Sequence, residues 1–145
     1  MSINWVLMLQ IRENKMKFHE DKSTPGPLQY FVFGSNLAGR HGRGAAHAAR
    51  LYYGAVYGVG EGITGRCYAI PTKDAKIQTL PLEEIQKYVN KFIEHVLDNP
   101  YREFFITRVG CGLAGYKNSQ VAPMFKSLVG MSNVSFPEPW RKWLL

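Results

Sequence analysis

Short runs of hydrophobic residues, dense in β-branched and aromatic side chains, recur along the chain and predict buried strands. Gln29 to Phe33 and Arg66 to Thr72 are two such runs. Glu103 to Val109 and Asn133 to Phe136 have the same character, and Phe104-Phe105-Ile106 is dense enough to be buried on both faces. The pattern therefore predicts four strands from residue 29 onwards.

Between these runs, hydrophobic residues recur every three or four positions, which is the period of a helix that buries one face. Arg43 to Tyr53 is rich in alanine, and Leu82 to Val96 begins after a proline with two glutamates in its first turn. A third segment enters through Asn118 or Ser119 and continues to Val129. Strands alternating with helices predict an α/β fold, a three-layer α/β/α sandwich around a mostly parallel or mixed central sheet.

Residues 1–27 lack this regularity. The hydrophobic run Trp5 to Leu9 is compatible with an added edge strand, and Thr24-Pro-Gly-Pro marks a boundary. We therefore predict an N-terminal extension over residues 1–27 and a single domain over residues 28–145. Gly54 to Gly65 is predicted to be a glycine-rich connection.

The composition, 46% hydrophobic and 20% charged, is that of a folded domain. A net charge of +7 favours anionic partners. The basic residues are scattered along the sequence in separated pairs, so the excess charge fits a small anionic ligand as well as nucleic acid.

Cys67 and Cys111 lie in unrelated contexts, without a CxxC motif or a histidine at metal-ligand spacing. We expect no metal and no cofactor. The alternatives for the pair are one disulfide or two reduced thiols, and reduced thiols in a cytoplasmic protein are the simpler interpretation. The hydrophobic run near the start is too short to cross a membrane, so no membrane partner is expected.

Three loops follow the carboxyl ends of predicted strands: Gly34 to Gly44, Thr72 to Lys76 and Gly110 to Gly115. Ligands of parallel α/β sheets bind at these ends. The first loop is followed by a helix, and a helix N-terminus with free backbone amides attracts anions. The sequence therefore predicts one crevice in which the three loops converge.

Two familiar nucleotide motifs do not fit. The stretch from Gly34 to Gly39 resembles a P-loop, but Arg40 and His41 occupy the places where that motif needs lysine and then serine or threonine. Gly60-Glu-Gly-Ile-Thr-Gly65 spells GxGxxG, yet it precedes a strand, where a dinucleotide fingerprint would follow one. A flexible connector is the favoured interpretation of that segment.

Several polar residues of the loops are candidates for chemistry. The amide of Asn36 would hydrogen-bond a sugar hydroxyl, or the residue only forms a turn. His41 is a candidate general acid or base, although an exposed loop histidine is commoner. Lys73 and Asp74 would act in proton transfer or phosphate binding, or form a solvated pair. Cys111 is a weaker candidate nucleophile, because no motif brings a histidine to it.

Gly110 to Tyr116 is informative as a unit. Three glycines within six residues allow backbone amides to approach a diphosphate closely. Tyr116 would stack on a ribose or base, or it would be a core residue in a tight turn.

Together, Gly34-Ser-Asn36, the glycine-rich opening of the helix at Gly42 to Ala46, and Gly110 to Tyr116 resemble the macro domain, the ADP-ribose-binding superfamily. The resemblance covers residues 29–136 in element order, and Gly110-Cys-Gly-Leu-Ala-Gly is similar to a divergent set of small macro-like proteins of bacteria and phages. It implies that Asn36 contacts the distal ribose and that the two loops hold the diphosphate. The implied ligand contacts are Gly34, Ser35, Asn36, Gly42, Arg43, Gly44, Ala45, Gly110, Cys111, Gly112, Leu113, Ala114, Gly115 and Tyr116.

The family carries a Gly-Asp-Ile segment upstream, whose aspartate holds the adenine amino group. Asp21 has a suitable distance in sequence but lies in a polar stretch without a strand signal. The resemblance implies binding of ADP-ribose or a related nucleotide diphosphate, with hydrolysis of an ADP-ribosyl linkage as an extension. Asn36, Lys73, His41 and Asp74 are the candidate catalytic residues. The alternatives are a basic interaction protein for nucleic acid or an acidic partner, and a protein that sequesters nucleotides.

Overall fold

A computed structural model describes residues 4–8 and 16–145. The strands are β1 (Lys17–His19), β2 (Gln29–Asn36), β3 (Gly62–Thr64), β4 (Cys67–Lys73), β5 (Glu103–Ile106) and β6 (Val134–Pro137). The α-helices are α1 (Gly44–Tyr52), α2 (Leu82–Asp98), α3 (Asn118–Val121) and α4 (Arg141–Leu144). Two 3₁₀ helices span Ala122–Leu128 and Glu138–Trp140.

The six strands form one sheet in the order β1-β6-β5-β2-β4-β3. All neighbouring strands are parallel except β3 and β4, which pair antiparallel. The prediction of a mostly parallel or mixed sheet between helical layers is confirmed. Parallel pairing brings the carboxyl ends of β1, β2, β4 and β5 to one edge, where the loops that follow them meet.

Successive side chains of each strand point to opposite faces, which divides the core in two. Phe31, Phe33, Cys67, Ala69 and Phe105 pack with α1 on one face. Their neighbours in sequence pack with α2 and the 3₁₀ helices on the other face: Val32, Tyr68, Ile70, Phe104 and Ile106. The face that carries α1 has the smaller core, which leaves room there for a cavity.

The side chains that α1 and α2 bury match the different sizes of the two cores. The alanines Ala46 and Ala49 are buried on α1 and allow the helix to lie close to the sheet. α2 buries a stripe of Ile85, Val89, Phe92 and Val96, as the periodicity predicted. None of the helices in the described ranges combines the length and the apolar composition that a membrane span requires.

Neither of the two edge strands, β1 and β3, was predicted from the sequence. Lys17–His19 lies in a stretch predicted to be polar and irregular, and it pairs with β6. Gly62–Thr64 lies inside the predicted connection and pairs with β4. Residues 5–8 form a helical turn where an edge strand was considered, and Leu9 lies outside the described residues. The third predicted helix is a single α-helical turn that continues as the 3₁₀ helix with Pro123 in its first turn.

Candidate functional site

A cavity of about 920 Å³ lies at the carboxyl edge of the sheet, on the face that carries α1. Its walls include the end of β2, the start of α1 and the loops after β4 and β5. Phe31 and Phe105 form part of its apolar floor. The predicted convergence of three loops therefore encloses a real volume, of the size usual for a small-molecule site.

Loop 1 (residues 37–43) joins β2 to α1, and Asn36 holds its conformation. The Asn36 side chain donates through Nδ2 to the carbonyl of Arg40 at 2.8 Å and accepts through Oδ1 from the Arg40 amide at 3.0 Å. Asn36 is 8% exposed and lines the cavity. Its side chain thus forms the turn considered in the sequence, and it keeps one Nδ2 hydrogen that no described protein group accepts.

His41 is fully buried, so the expectation of an exposed loop histidine is wrong. Its Nε2 donates to the carbonyl of Val59 at 3.1 Å, and its ring packs edge-on against Phe33. Burial lowers the pKa of His41, with Arg50 adding to this and the Val59 hydrogen bond opposing it. His41 does not line the cavity and acts as an anchor for loop 1.

The segment of residues 58–60 supports loop 1 from behind. The Gly58 amide donates to the carbonyl of Gly39 at 2.9 Å, and Ser35 donates through its hydroxyl to the carbonyl of Gly60. A Cβ on Gly60 would lie 2.3 Å from the backbone oxygen of Asn36. The first part of the GxGxxG stretch is therefore a tightly packed support for loop 1, and the interpretation as a flexible connector is wrong there.

The start of α1 leaves backbone donors free. Arg43 is the N-cap residue, has an extended backbone and makes no side-chain cap hydrogen bond. Within the described part of the chain, no protein group accepts from the N–H groups of Gly42, Gly44 or Ala45. Unpaired amides at a helix N-terminus are suited to bind an anion.

Loop 2 (residues 107–117) faces loop 1 across the cavity. A Cβ on Gly44 would lie 3.5 Å from the Leu113 side chain, and one on Gly34 would lie 3.4 Å from the Gly110 amide. The amides of Gly112, Leu113 and Ala114 have no protein acceptor among the described residues. Two sets of free amides therefore border the same space.

Two predicted contacts of loop 2 lie elsewhere. The Tyr116 hydroxyl donates to the carbonyl of Leu80 at 2.6 Å, and its partly buried ring packs against the larger core cluster, as in the core alternative considered in the sequence. Burial raises the pKa of the Cys111 thiol to about 11, which disfavours a thiolate nucleophile. Neither residue lines the cavity.

The positive charge that is scattered in the sequence converges in space. Five cationic side chains line the cavity, against the single carboxylate of Asp21: Lys22, Arg40, Arg43, Lys73 and Arg108. This local net charge of +4 is more than half of the +7 carried by the whole chain. A positive, low-dielectric cleft attracts anions.

The far end of the cavity contains an ion pair, between Asp21 and Arg108, that sequence reasoning missed. Asp21 follows β1 and accepts from Arg108 Nη1 at 3.2 Å. Arg108 Nε donates to Asn118 Oδ1 at 3.0 Å, and that oxygen also accepts from the Trp140 indole at 3.0 Å. Asp21 was noted in the sequence, but the strand that positions it was not, because three residues give no periodic signal.

The cavity separates the predicted site residues into two groups. Those that line it are Gly34, Ser35, Asn36, Gly42, Arg43, Gly44, Ala45, Lys73, Gly110, Gly112, Leu113 and Ala114. Those that do not are His41, Asp74, Cys111, Gly115 and Tyr116. Asp74 instead accepts from the amides of Lys76 and Gln78 through Oδ1 and so forms the turn after β4. No described cluster of three or more histidine, cysteine, aspartate or glutamate side chains is placed to hold a metal.

His19 also lines the cavity, and its ring stacks on Phe105 with 3.6 Å between centroids. Its Nδ1 lies 2.7 Å from the Ser135 hydroxyl. Burial lowers the pKa of His19 to about 4, against the smaller opposing effects of a backbone hydrogen bond at Ile106 and the charge of Asp21. The imidazole is therefore neutral at pH 7 and presents a flat, uncharged surface.

Because the His19 imidazole is buried in its neutral form, we expect the protein to lose stability in mild acid. The unfolded chain takes up the proton near pH 6.5 and the folded chain only near pH 4, so the free energy of unfolding falls as the pH drops between these values, by about 1 kcal/mol per pH unit. His19→Phe keeps the ring stack and should make this dependence shallower, while the lowered pKa values of His41 and His95 retain part of it; chemical denaturation from pH 7 to 4.5 measures the slope. Parallel profiles for the two proteins would contradict it.

No family model, curated protein or solved structure matches the chain. The interpretation of the cavity therefore depends on its own geometry and charge.

Proposed function

We propose that this protein binds ADP-ribose or a related nucleotide diphosphate in the cavity between loops 1 and 2. The observation that carries the proposal is the combination of two facing sets of free backbone amides with five cationic side chains. A diphosphate carries its negative charge on oxygens that accept several hydrogen bonds at once. The amides of Gly42 to Ala45 and of Gly112 to Ala114 would donate to these oxygens.

The sheet order supports a ligand with a group on each side of the diphosphate. The loops that hold the amides follow β2 and β5, which are adjacent central strands. Asp21 follows β1 on one side, and Lys73 ends β4 on the other. Four strand spacings separate β1 from β4, a distance of about 19 Å. This length suits a base at one end and a second sugar at the other.

The base would lie at the Asp21 end. The stacked pair of His19 and Phe105 offers a flat surface for a planar ring, and the Asp21 carboxylate would accept from an exocyclic amino group. The second sugar would lie beside Asn36 and Lys73, which are register partners on β2 and β4. This arrangement agrees with the resemblance to the macro domain noted in the sequence.

Hydrolysis of an ADP-ribosyl linkage is the extension of this proposal. Water would attack the anomeric carbon of the second ribose, the bond to the leaving group would break, and the leaving group would take up a proton. Of the residues predicted to transfer protons, only Lys73 lines the cavity. Most of the acceleration would then come from positioning the water and stabilising charge, since His41 and Asp74 do not face the cavity.

Calorimetry with ADP-ribose, ADP, AMP and adenosine tests binding. We expect ADP-ribose and ADP to bind more tightly than AMP, and adenosine to bind weakest, because the diphosphate makes the most contacts. Absence of heat with all four at millimolar concentration would remove the proposal. In parallel, mass spectrometry should detect free ADP-ribose released from an ADP-ribosylated protein, and no release would leave binding alone as the function.

The same titrations address the alternative of nucleic-acid binding. Tight binding to an oligonucleotide that collapses between low and moderate salt, with no response to nucleotides, would favour that alternative. The cationic side chains line a cavity and not an open face of the protein. This arrangement favours a small ligand over nucleic acid.

A further inference from the structure

Ile77 lies in a backbone conformation that its side chain disfavours. Its φ is 65°, and Lys22 is the other residue besides glycine with a positive φ in the described ranges. A β-branched residue rarely adopts this left-handed conformation, because its Cβ crowds the following carbonyl oxygen. Glycine or asparagine would form the same turn more easily.

Hydrogen bonds fix the conformation of the turn around Ile77. The Asp74 amide donates to the Gln78 carbonyl at 2.8 Å, and the Ile77 amide donates to the Asp74 carbonyl at 3.1 Å. Oδ1 of Asp74 accepts from the amides of Lys76 and Gln78 at 2.8 and 3.0 Å. Beyond the turn, the Thr79 hydroxyl donates to the Ala114 carbonyl of loop 2 at 3.1 Å. These contacts keep the unfavourable φ in place.

The conformation places an apolar side chain at the cavity. Ile77 lines the cavity and is 38% exposed. The turn starts directly after Lys73, the register partner of Asn36, so Ile77 lies at the end opposite Asp21. An apolar, partly exposed residue among cations has no role in holding phosphate, and its burial would be completed by the carbon face of a ligand.

We propose that Ile77 is a specificity-determining residue that packs against the ribose beyond the diphosphate and so distinguishes ADP-ribose from ADP. This inference depends on the proposed function and assigns one end of the same cavity. Strained residues concentrate at ligand sites, where the strain positions a side chain for use. Ile77 meets that description through its conformation and its place in the cavity wall.

Ile77→Gly tests the proposal, with calorimetry for ADP-ribose and ADP and a thermal melt for each protein. We expect ADP-ribose to bind about tenfold more weakly and ADP to change less than twofold, because ADP lacks the second ribose. The melting temperature should be unchanged or higher, since glycine adopts the turn without strain. Ile77→Val retains the apolar contact and should restore ADP-ribose binding to within about twofold of the original chain.

Ile63→Ala is the matched control, because Ile63 has a similar exposure of 39% on β3 and lies outside the cavity lining. It should leave both affinities unchanged. Equal losses for ADP-ribose and ADP in Ile77→Gly, or no loss, would overturn the role of Ile77 and leave nucleotide binding intact. Failure of the unaltered chain to bind either nucleotide would overturn the proposed function and this inference together.

Discussion

Replacing Arg43 by glutamate is expected to weaken ADP-ribose binding at least a hundredfold, measured by calorimetry, without weakening the fold. Arg43 is the exposed N-cap of α1, beside the free amides of Gly42 and Gly44, and it lines the cavity. If the proposed site binds a diphosphate, reversing this charge would remove a charge-assisted hydrogen bond to phosphate and add repulsion, a cost of about 3 kcal/mol. Glutamate at a helix N-terminus is itself favourable, so the melting temperature should not fall.

Lys126→Glu is the control for Arg43→Glu, because it changes the net charge by the same amount. Lys126 is exposed on the 3₁₀ helix that packs against the opposite face of the sheet. We expect it to change the affinity by less than threefold at physiological salt, where distant exposed charges are screened. Equal losses in the two variants would mean that overall charge attracts the ligand and that α1 makes no local contact with it.

Replacing Gly60 by alanine is expected to lower the free energy of unfolding by about 3 kcal/mol, because the added methyl overpacks a buried site. Its Cβ would lie 2.3 Å from the backbone oxygen of Asn36 and 2.9 Å from the backbone of Leu37. Backbone atoms of a parallel strand and its loop cannot move aside as a flexible side chain can. Loop 1 should shift as well, so ADP-ribose binding should weaken. Chemical denaturation and calorimetry measure the two effects.

Gly112→Ala is the stability control for Gly60→Ala. A Cβ on Gly112 meets no atom within 4 Å, and its φ is not positive. Its stability should therefore stay within about 0.5 kcal/mol of the original chain. If Gly60→Ala were equally neutral, residues 58–60 would be able to yield, and they would not be the rigid support of loop 1.

Long, regular segments were predictable from the sequence because their signal is local. β2, β4 and α2 carry enough periodic hydrophobic residues to specify their type and to order the layers. β1 and β3 were missed because each has three residues and forms only by pairing with a longer neighbour. Their existence is a property of the assembled sheet, which no local pattern encodes.

The candidate site was predictable in its glycines and less so in its polar side chains. Chain order placed both loops at one sheet edge, and the cavity lies there. The partner of His41 is the carbonyl of Val59, eighteen positions away, and that of Tyr116 is the carbonyl of Leu80, so the positions of both side chains depend on contacts between distant segments. The grouping of five cationic side chains around the cavity could not be predicted from the sequence either, because these residues belong to four separate segments.

Asn118 accepts hydrogen bonds from both Arg108 and Trp140 through one oxygen. This shared oxygen links a residue of the cavity wall to a fluorescent side chain. Trp140 is fully buried, so its fluorescence is shielded from water. An anion or a base that draws Arg108 towards the ligand acts on the atom to which the indole is bonded. Trp140 therefore lies two hydrogen bonds from Arg108 in the cavity wall, and we expect a ligand that binds there to change the emission of this tryptophan.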